Sequence, residues 1–178
     1  MIQTIAVFCG SKSGNNTKFV EDAARLGNTL AEKNVSIVYG GGNKGMMGAV
    51  ANAALGANGK VIGVIPKFLV DLEHKHSNLT EEIITDDMHT RKRTIYERCD
   101  AAIVLPGGYG TLDELFEMVT WNQLSIHNKK IFLLNTAGFY DALIVHVKKM
   151  EAENFLYEKF EERIIILSSA GEIAQYLL

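Results

Sequence analysis

Asp100-Ala101-Ala102-Ile103-Val104-Leu105-Pro106-Gly107-Gly108-Tyr109-Gly110-Thr111-Leu112-Asp113-Glu114 joins three signals in one short run. Asp100 to Leu105 is an unalternating apolar stretch and reads as a strand buried on both faces. It runs straight into a glycine turn. Thr111 then opens an amphipathic helix that carries Asp113, Glu114 and Glu117 in its first turns. Acidic residues suit a helix N-terminus electrostatically, so a purely structural reading exists. The glycine turn and the free N–H groups of the helix start also make an anion site, with a carboxylate beside it. The functional reading is a phosphorylated ligand with chemistry close by.

Outward from this run the same alternation repeats. Strands are expected at Ile2–Phe8, Val35–Tyr39, Val61–Ile65, Ala101–Leu105, Lys130–Leu134 and Ile164–Leu167, with a possible short one at Ile83–Thr85. Helical periodicity fills Lys18–Lys33, Met46–Leu55, His89–Arg98, Leu112–Leu124, Tyr140–Glu153 and Ala170–Leu177. Short apolar strands separated by helices predict a parallel sheet covered on both faces. The fold class is therefore α/β: a single-domain, Rossmann-like doubly wound parallel sheet flanked by helices over residues 1–178. Such sheets bind ligands beyond the carboxyl ends of their strands. That rule aligns Gly10-Ser11, Gly40-Gly41-Gly42 and Gly107-Gly108 along one rim. The polar stretch Lys67–Thr80, with Glu73, His74 and His76, is expected to be irregular and to form a flap over that rim.

The 178 residues suffice for one domain with a real core. With 47% apolar and 22% charged residues, the chain has an ordinary globular composition. A formal net charge of −3 argues against a nucleic-acid binder held by bulk electrostatics. No apolar run is long enough to span a membrane, and Met1 to Gly10 lacks the pattern of a signal peptide. Cys9 and Cys99 form neither a disulfide framework nor a metal-ligand spacing. A reduced, cytoplasmic protein is expected.

Cys9-Gly10-Ser11-Lys12-Ser13-Gly14 does not fit G-x-G-x-x-G, and no acidic residue ends the second strand to hold a ribose hydroxyl, so dinucleotide binding is disfavoured. The P-loop pattern is missing as well. Gly45 and Gly48 are expected to let a helix pack closely on the sheet. In Asp87-Met88-His89-Thr90-Arg91-Lys92-Arg93, cations gather at a helix start, against the macrodipole. That cost is easier to understand if one of them meets an anion, and the planar fork of Arg suits phosphate or carboxylate best. His74 and His76 lack a third metal ligand and read as surface residues. No histidine is assigned a catalytic role. Trp121 reads as core packing or a subunit contact.

Val38-Tyr39-Gly40-Gly41-Gly42, Gly45-Met46-Met47-Gly48, Val61-Ile62-Gly63-Val64-Ile65-Pro66, Met88-His89-Thr90-Arg91-Lys92 and Pro106 through Glu114 occur in that order. Trp121-Asn122-Gln123-Leu124 and His127 follow. This succession resembles the LOG family, the cytokinin riboside 5′-monophosphate phosphoribohydrolases often labelled "lysine decarboxylase". The resemblance implies a nucleotide-monophosphate-binding domain that hydrolyses the N-glycosidic bond of a purine nucleoside 5′-monophosphate, such as AMP or N6-isopentenyl-AMP. Free base and ribose 5-phosphate would be the products. It implies Arg91 and Glu114 as the catalytic pair. Met88, Lys92, Gly108, Tyr109, Gly110, Thr111, Leu112, Asp113 and Thr120 would contact substrate, with Glu73 joining from the flap. It further implies a homodimer with the Glu114 helix near the subunit contact. The chain departs from the family pattern at Lys12, at Phe19 where a tyrosine is common nearby, and at Ile95-Tyr96 where methionine is frequent.

Breaking a glycosidic bond builds oxocarbenium-like charge on the ribose, which calls for a carboxylate. Glu114 is suited to stabilise that charge, to orient the water or to act as nucleophile, and water activation with electrostatic stabilisation is favoured. Arg91 would hold the phosphate or a ribose hydroxyl, and the glycine N–H groups the 5′-phosphate. No metal and no cofactor are expected. The rival from another class is a non-catalytic carrier of a phosphorylated cofactor, like the molybdenum-cofactor carriers. A lysine decarboxylase would need a Schiff-base lysine for pyridoxal phosphate, and no motif points to one.

Overall fold

The structure is a computed structural model that describes residues 1–70 and 75–177. Seven parallel strands form one sheet: β1 (Thr4–Phe8), β2 (Ser36–Tyr39), β3 (Val61–Pro66), β4 (Glu81–Thr85), β5 (Ala101–Val104), β6 (Lys130–Leu134) and β7 (Ile164–Leu167). Their spatial order is β4-β3-β2-β1-β5-β6-β7. The chain grows outward on one side from β1 to β4, then returns to the middle at β5 and grows the other way. β1 and β5 pair in register, with Ile5 opposite Ala101 and Phe8 opposite Val104. The chain leaves β1 for a helix on one face of the sheet and β5 for a helix on the other, the arrangement that opens the crevice of a doubly wound sheet.

The helices between the strands are α1 (Thr17–Glu32), α2 (Gly45–Gly56), α3 (Met88–Arg98), α4 (Tyr109–Gln123), α5 (Asp141–Ala152) and the single turn α6 (Phe160–Arg163). One face of the sheet, with Ile5, Val7, Ile37 and Ile103, packs against Leu26 and Leu30 of α1 and Val50 and Ala54 of α2. The other face, with Ala6, Phe8, Val38 and Val104, packs against Ile95 and Tyr96 of α3, Leu115 and Met118 of α4 and Val147 of α5. In α1 the buried Ala23, Leu26, Gly27, Leu30 and Ala31 recur at helical spacing, and Asn16 caps the helix by accepting the Lys18 N–H.

All six expected strands form, and the possible seventh is the edge strand β4. Four local expectations are corrected. Ala170–Leu177 is not an α-helix; Ala170–Tyr176 is a 3₁₀ run that packs Ala170 and Ile173 inward, and Gly171 weakens helix formation at its start. Helix α4 begins at Tyr109 rather than Thr111, which puts Asp113 and Glu114 in its second turn, outside the strongest part of the macrodipole. Gly45 and Gly48 do not serve helix-on-sheet packing. A Cβ on Gly45 would lie 2.4 Å from the Ser11 carbonyl oxygen and one on Gly48 2.3 Å from that of Asn43, so both keep loop backbone close to the start of α2. The close helix–helix approach sits instead at Gly27 of α1, whose Cβ would be 2.3 Å from the Val50 carbonyl oxygen. His76 is no surface residue: it is 2% exposed, its Nδ1 accepts the Asn78 N–H, and its Nε2 lies 3.1 Å from Asn52 Oδ1.

Candidate active site

A cleft of about 550 Å³ opens at the carboxyl ends of β1 and β5. Its walls come from the turns after these strands, from Gly40 after β2, and from the starts of α3 and α4. The two central turns interlock. The Gly10 N–H donates to the Pro106 carbonyl at 3.1 Å, and the Leu105 N–H to the Phe8 carbonyl at 2.9 Å. A Cβ on Gly107 would sit 2.1 Å from Thr111 Oγ1 and 2.8 Å from Gly10 N, so only glycine lets these turns meet. The buried Tyr140 hydroxyl donates to the Leu105 carbonyl at 2.6 Å and fixes the last residue before the turn.

Gly108 occupies the N-cap of α4 and offers no side chain to its first turn, and Gly108, Tyr109, Gly110 and Thr111 all line the cleft. Neither Gly108 nor Gly110 has a positive φ, and a Cβ at either would meet nothing within 4 Å. Folding therefore does not require glycine at these two positions. What glycine provides there is room for a ligand to approach the backbone of a helix N-terminus.

Arg91, 5% exposed, reaches the cleft from α3. Its Nε donates to the Val64 carbonyl and its Nη2 to the Gly40 carbonyl, each at 3.2 Å, while Nη1 lies 3.6 Å from Met88 Sδ. A Cβ on Gly40 would lie 2.0 Å from Nη2, so the guanidinium passes through the space a side chain would fill. The electrostatic cost expected for cations at the α3 start is met by Asp87, which caps the helix through Thr90 N at 2.8 Å. Those bonds from the Thr90 backbone and hydroxyl hold the Asp87 carboxyl below its ordinary range.

Glu114 lines the same cleft, from α4, together with Asp113. Cys9, at the end of β1, is buried beside it. Burial drives the thiol far above its ordinary range and the Glu114 carboxylate adds to the shift, so Cys9 stays protonated and unreactive. Lys92, next to Arg91, turns away from the cleft. Its Nζ lies 3.0 Å from Asp113 Oδ2 and 2.8 Å from Glu117 Oε2. Burial lowers the Lys92 pKa, but the hydrogen bonds to Glu117 and Asp113 outweigh it and raise the group above an ordinary lysine.

Of the residues singled out by sequence, Met88, Arg91, Gly108, Tyr109, Gly110, Thr111, Asp113 and Glu114 meet in this cleft. Lys92, Leu112 and Thr120 are not among its lining residues; Thr120 lies exposed on α4 and its hydroxyl donates to the Phe116 carbonyl. Glu73 and His74 lie outside the described residues. From the loop Gly40-Gly41-Gly42 only Gly40 lines the cleft. Gly41 and Gly42 hold the far end of the expected flap, where the His76 N–H donates to the Gly41 carbonyl and Lys75 bridges Gly42. Sequence reasoning passed over Phe139, which lines the cleft and packs edge-on against Phe19 with ring centroids 5.5 Å apart. Its place just beyond the carboxyl end of β6 was the available signal.

The fold and this crevice define a doubly wound α/β protein with an open cleft at the switch point between β1 and β5. Residues 47–177 match the family model described as "Possible lysine decarboxylase". Over 173 residues the chain is 42% identical to cytokinin riboside 5′-monophosphate phosphoribohydrolase LOG2 of Arabidopsis thaliana, covering 97% of this chain and 81% of the relative. It is 43% identical over 169 residues to the probable phosphoribohydrolase LOGL1 of Oryza sativa subsp. japonica, covering 95% and 76%. The chain belongs to the LOG family. In architecture it is similar to the molybdenum cofactor binding protein of Rippkaea orientalis (TM-score 0.73, 23% identity, 99% and 96% of the two chains). The molybdenum cofactor carrier protein of Chlamydomonas reinhardtii is likewise similar (TM-score 0.71, 18% identity, 99% and 96%). At these identities the likeness concerns the fold.

Proposed function

We propose that this protein hydrolyses the N-glycosidic bond of purine nucleoside 5′-monophosphates of the cytokinin type, with AMP and N6-isopentenyl-AMP as substrates, and releases free base and ribose 5-phosphate. The observation that carries the reading is the meeting of Arg91 and Glu114 in one cleft with an uncapped, glycine-lined helix start. The 5′-phosphate would sit at Gly108–Thr111, where backbone N–H groups and the helix dipole favour an anion. Arg91 would align the ribose phosphate from a guanidinium already fixed by two carbonyls. As the bond from C1′ to the base breaks, its electron pair leaves with the purine and positive charge develops on the ribose. Glu114 would stabilise that charge and take a proton from the water that attacks C1′, and that proton would pass on to the purine nitrogen that left C1′, giving the neutral base and restoring the carboxylate.

A carrier would use the same crevice without needing this carboxylate, and the 42% identity to phosphoribohydrolases favours the enzyme. Schiff-base chemistry fits the site poorly. Such a lysine must be deprotonated, whereas Lys92 is committed to two carboxylates and Lys12 stands exposed on its loop. The region 1–178 would act as one nucleotide-binding domain. No described helix is long and apolar enough to cross a membrane, and together with the net charge of −3 this supports a cytoplasmic enzyme that binds neither nucleic acid nor membrane. A homodimer through α4 completes the proposal: Thr120, implied as a substrate contact by the family resemblance, is exposed and does not line the cleft of its own chain, so that contact would have to be made to the cleft of a partner.

The test is chromatography of AMP and N6-isopentenyl-AMP after incubation with the protein and with Glu114→Gln. Base and ribose 5-phosphate are expected from the wild type, and turnover is expected to be lost in the variant while nucleotide binding remains. Wild-type rates in Glu114→Gln would remove Glu114 from the mechanism, and nucleotide binding without base release by the wild type would favour the carrier.

A further inference from the structure

Arg91 and Lys92 are consecutive on α3, so their side chains leave the helix about 100° apart. One faces the cleft and the other faces α4. On α4, Asp113 and Glu117 are one turn apart and share a face, and Glu114 adjoins Asp113. The Lys92 ammonium bridges both carboxylates, at 3.0 Å and 2.8 Å. Tyr96, one turn along α3 from Lys92, donates its hydroxyl to the same Glu117 Oε2 at 2.8 Å. Two groups of α3 thus grip Glu117, and two groups of α4 grip Lys92. Tyr96 is itself wedged edge-on between Phe8, at 6.0 Å, and Trp121, at 5.0 Å. This lock joins the two helices at the residues next to Arg91 and Glu114.

We propose that Lys92 is a positioning residue, a clamp that sets the register of α3 against α4 and thereby holds Arg91 and Glu114 at the spacing the reaction needs. The proposal rests on the hydrolase reading above and gives Lys92 a role other than substrate contact. Charges are a costly way to join helices. Apolar side chains of similar volume often serve stability as well or better, and the best-attested use of a buried charge is to fix one arrangement; here Lys92 is buried, Glu117 is 25% exposed at its side chain, and Asp113, at 57%, reaches solvent at the cleft. Here, among the described residues, Arg91 lines the cleft and Lys92 does not, and the lysine is only 9% exposed, held against α4. Its partner Asp113 is the point where the lock meets the cleft wall.

The test compares Lys92→Met, Lys92→Arg, Glu117→Gln and the double variant Lys92→Met/Glu117→Gln on AMP and N6-isopentenyl-AMP. Lys92→Met is expected to lower kcat about a hundredfold, with KM within about threefold of wild type, because misplacing reacting groups by an ångström costs roughly that much. Lys92→Arg keeps a cation able to span Asp113 and Glu117, and most of the rate should return. The double variant should be little worse than Lys92→Met alone, because both changes break one network. Raised KM at unchanged kcat would make Lys92 a substrate contact and overturn the clamp, as would wild-type kinetics in Lys92→Met. A crystal structure of Lys92→Met reads the same geometry without turnover, with Glu114 expected to move relative to Arg91. Unchanged spacing would overturn the clamp even if the wild-type protein released no base, a result that by itself would overturn only the hydrolase reading.

Discussion

At the scale of single residues, a cation at a helix start drew attention to the Arg91 cluster and a glycine turn to the carboxylates behind it, while the family resemblance singled out Arg91 and Glu114 as the pair. Their supports were not legible. Gly40 lies 51 positions before Arg91 in the chain, and only the folded sheet shows that its missing side chain is the space the guanidinium occupies. Gly40→Ala places a Cβ 2.0 Å from Nη2 and 3.3 Å from Met47 Sδ. The obstacles are flexible side-chain atoms, so the fold should adjust cheaply while the guanidinium gives way. The expected outcome is a loss in kcat/KM of about a hundredfold, the cost of misplacing a positioning group by about an ångström, with a nearly unchanged urea midpoint. Steady-state kinetics and urea unfolding of the same variant check it. A destabilised protein with unaltered turnover would show that Arg91 does not depend on this opening.

At the scale of elements, strands and long helices were legible from periodicity, but their ends depended on contacts that sequence does not display. Gly108-Tyr109-Gly110 reads as turn, yet Tyr109 begins α4, because the cleft-lining helix start has no capping side chain to announce it. The stretch from Lys67 to Thr80 read as irregular and polar, with His76 outside. In the fold His76 is buried against α2, and its imidazole ties this segment to Asn52. Burial lowers the His76 pKa, and burial with the nearby Lys129 charge lowers that of His127. For a histidine depressed in the folded state, the unfolded chain binds the proton first. The stability contribution is present above about pH 6.5, the unfolded value, and is lost as pH falls through the lower folded value. Urea midpoints are therefore expected to fall between pH 7.5 and pH 5, over a range set by the ordinary histidine pKa. His76→Gln should flatten part of that fall and leave the part due to His127. An identical pH profile in the variant would show that His76 is not the titrating group.

At the scale of the whole molecule, alternating strands and helices sufficed to predict the doubly wound sheet, since parallel strands need crossovers and crossovers put helices on both faces. What alternation leaves open is which outward surfaces are covered. Tyr109, Phe116 and Leu124 lie along one side of α4 and are 95%, 37% and 63% exposed, and Ile126 continues the strip at 60%. An apolar stripe on a helix that already buries Leu115 and Met118 beneath it is the mark of a second contact surface. The proposed occupant is a second copy of the chain. In a two-fold interface every residue is used twice, so a charge placed on the stripe meets its own copy or an apolar neighbour across the axis. Leu124→Glu and Ile126→Glu are each exposed enough to be tolerated by the isolated fold. Sedimentation equilibrium is expected to give twice the chain mass for the wild type and the single 19.6 kDa mass for these variants. Turnover should be lost with the dimer, because Thr120, which the family resemblance implies as a substrate contact, is exposed on the same helix and does not line the cleft of its own chain. A monomeric wild type, or variants that still sediment as dimers, would remove the stripe as the subunit contact. Variants that become monomers and keep full activity would instead leave α4 as the interface and take Thr120 out of the substrate site.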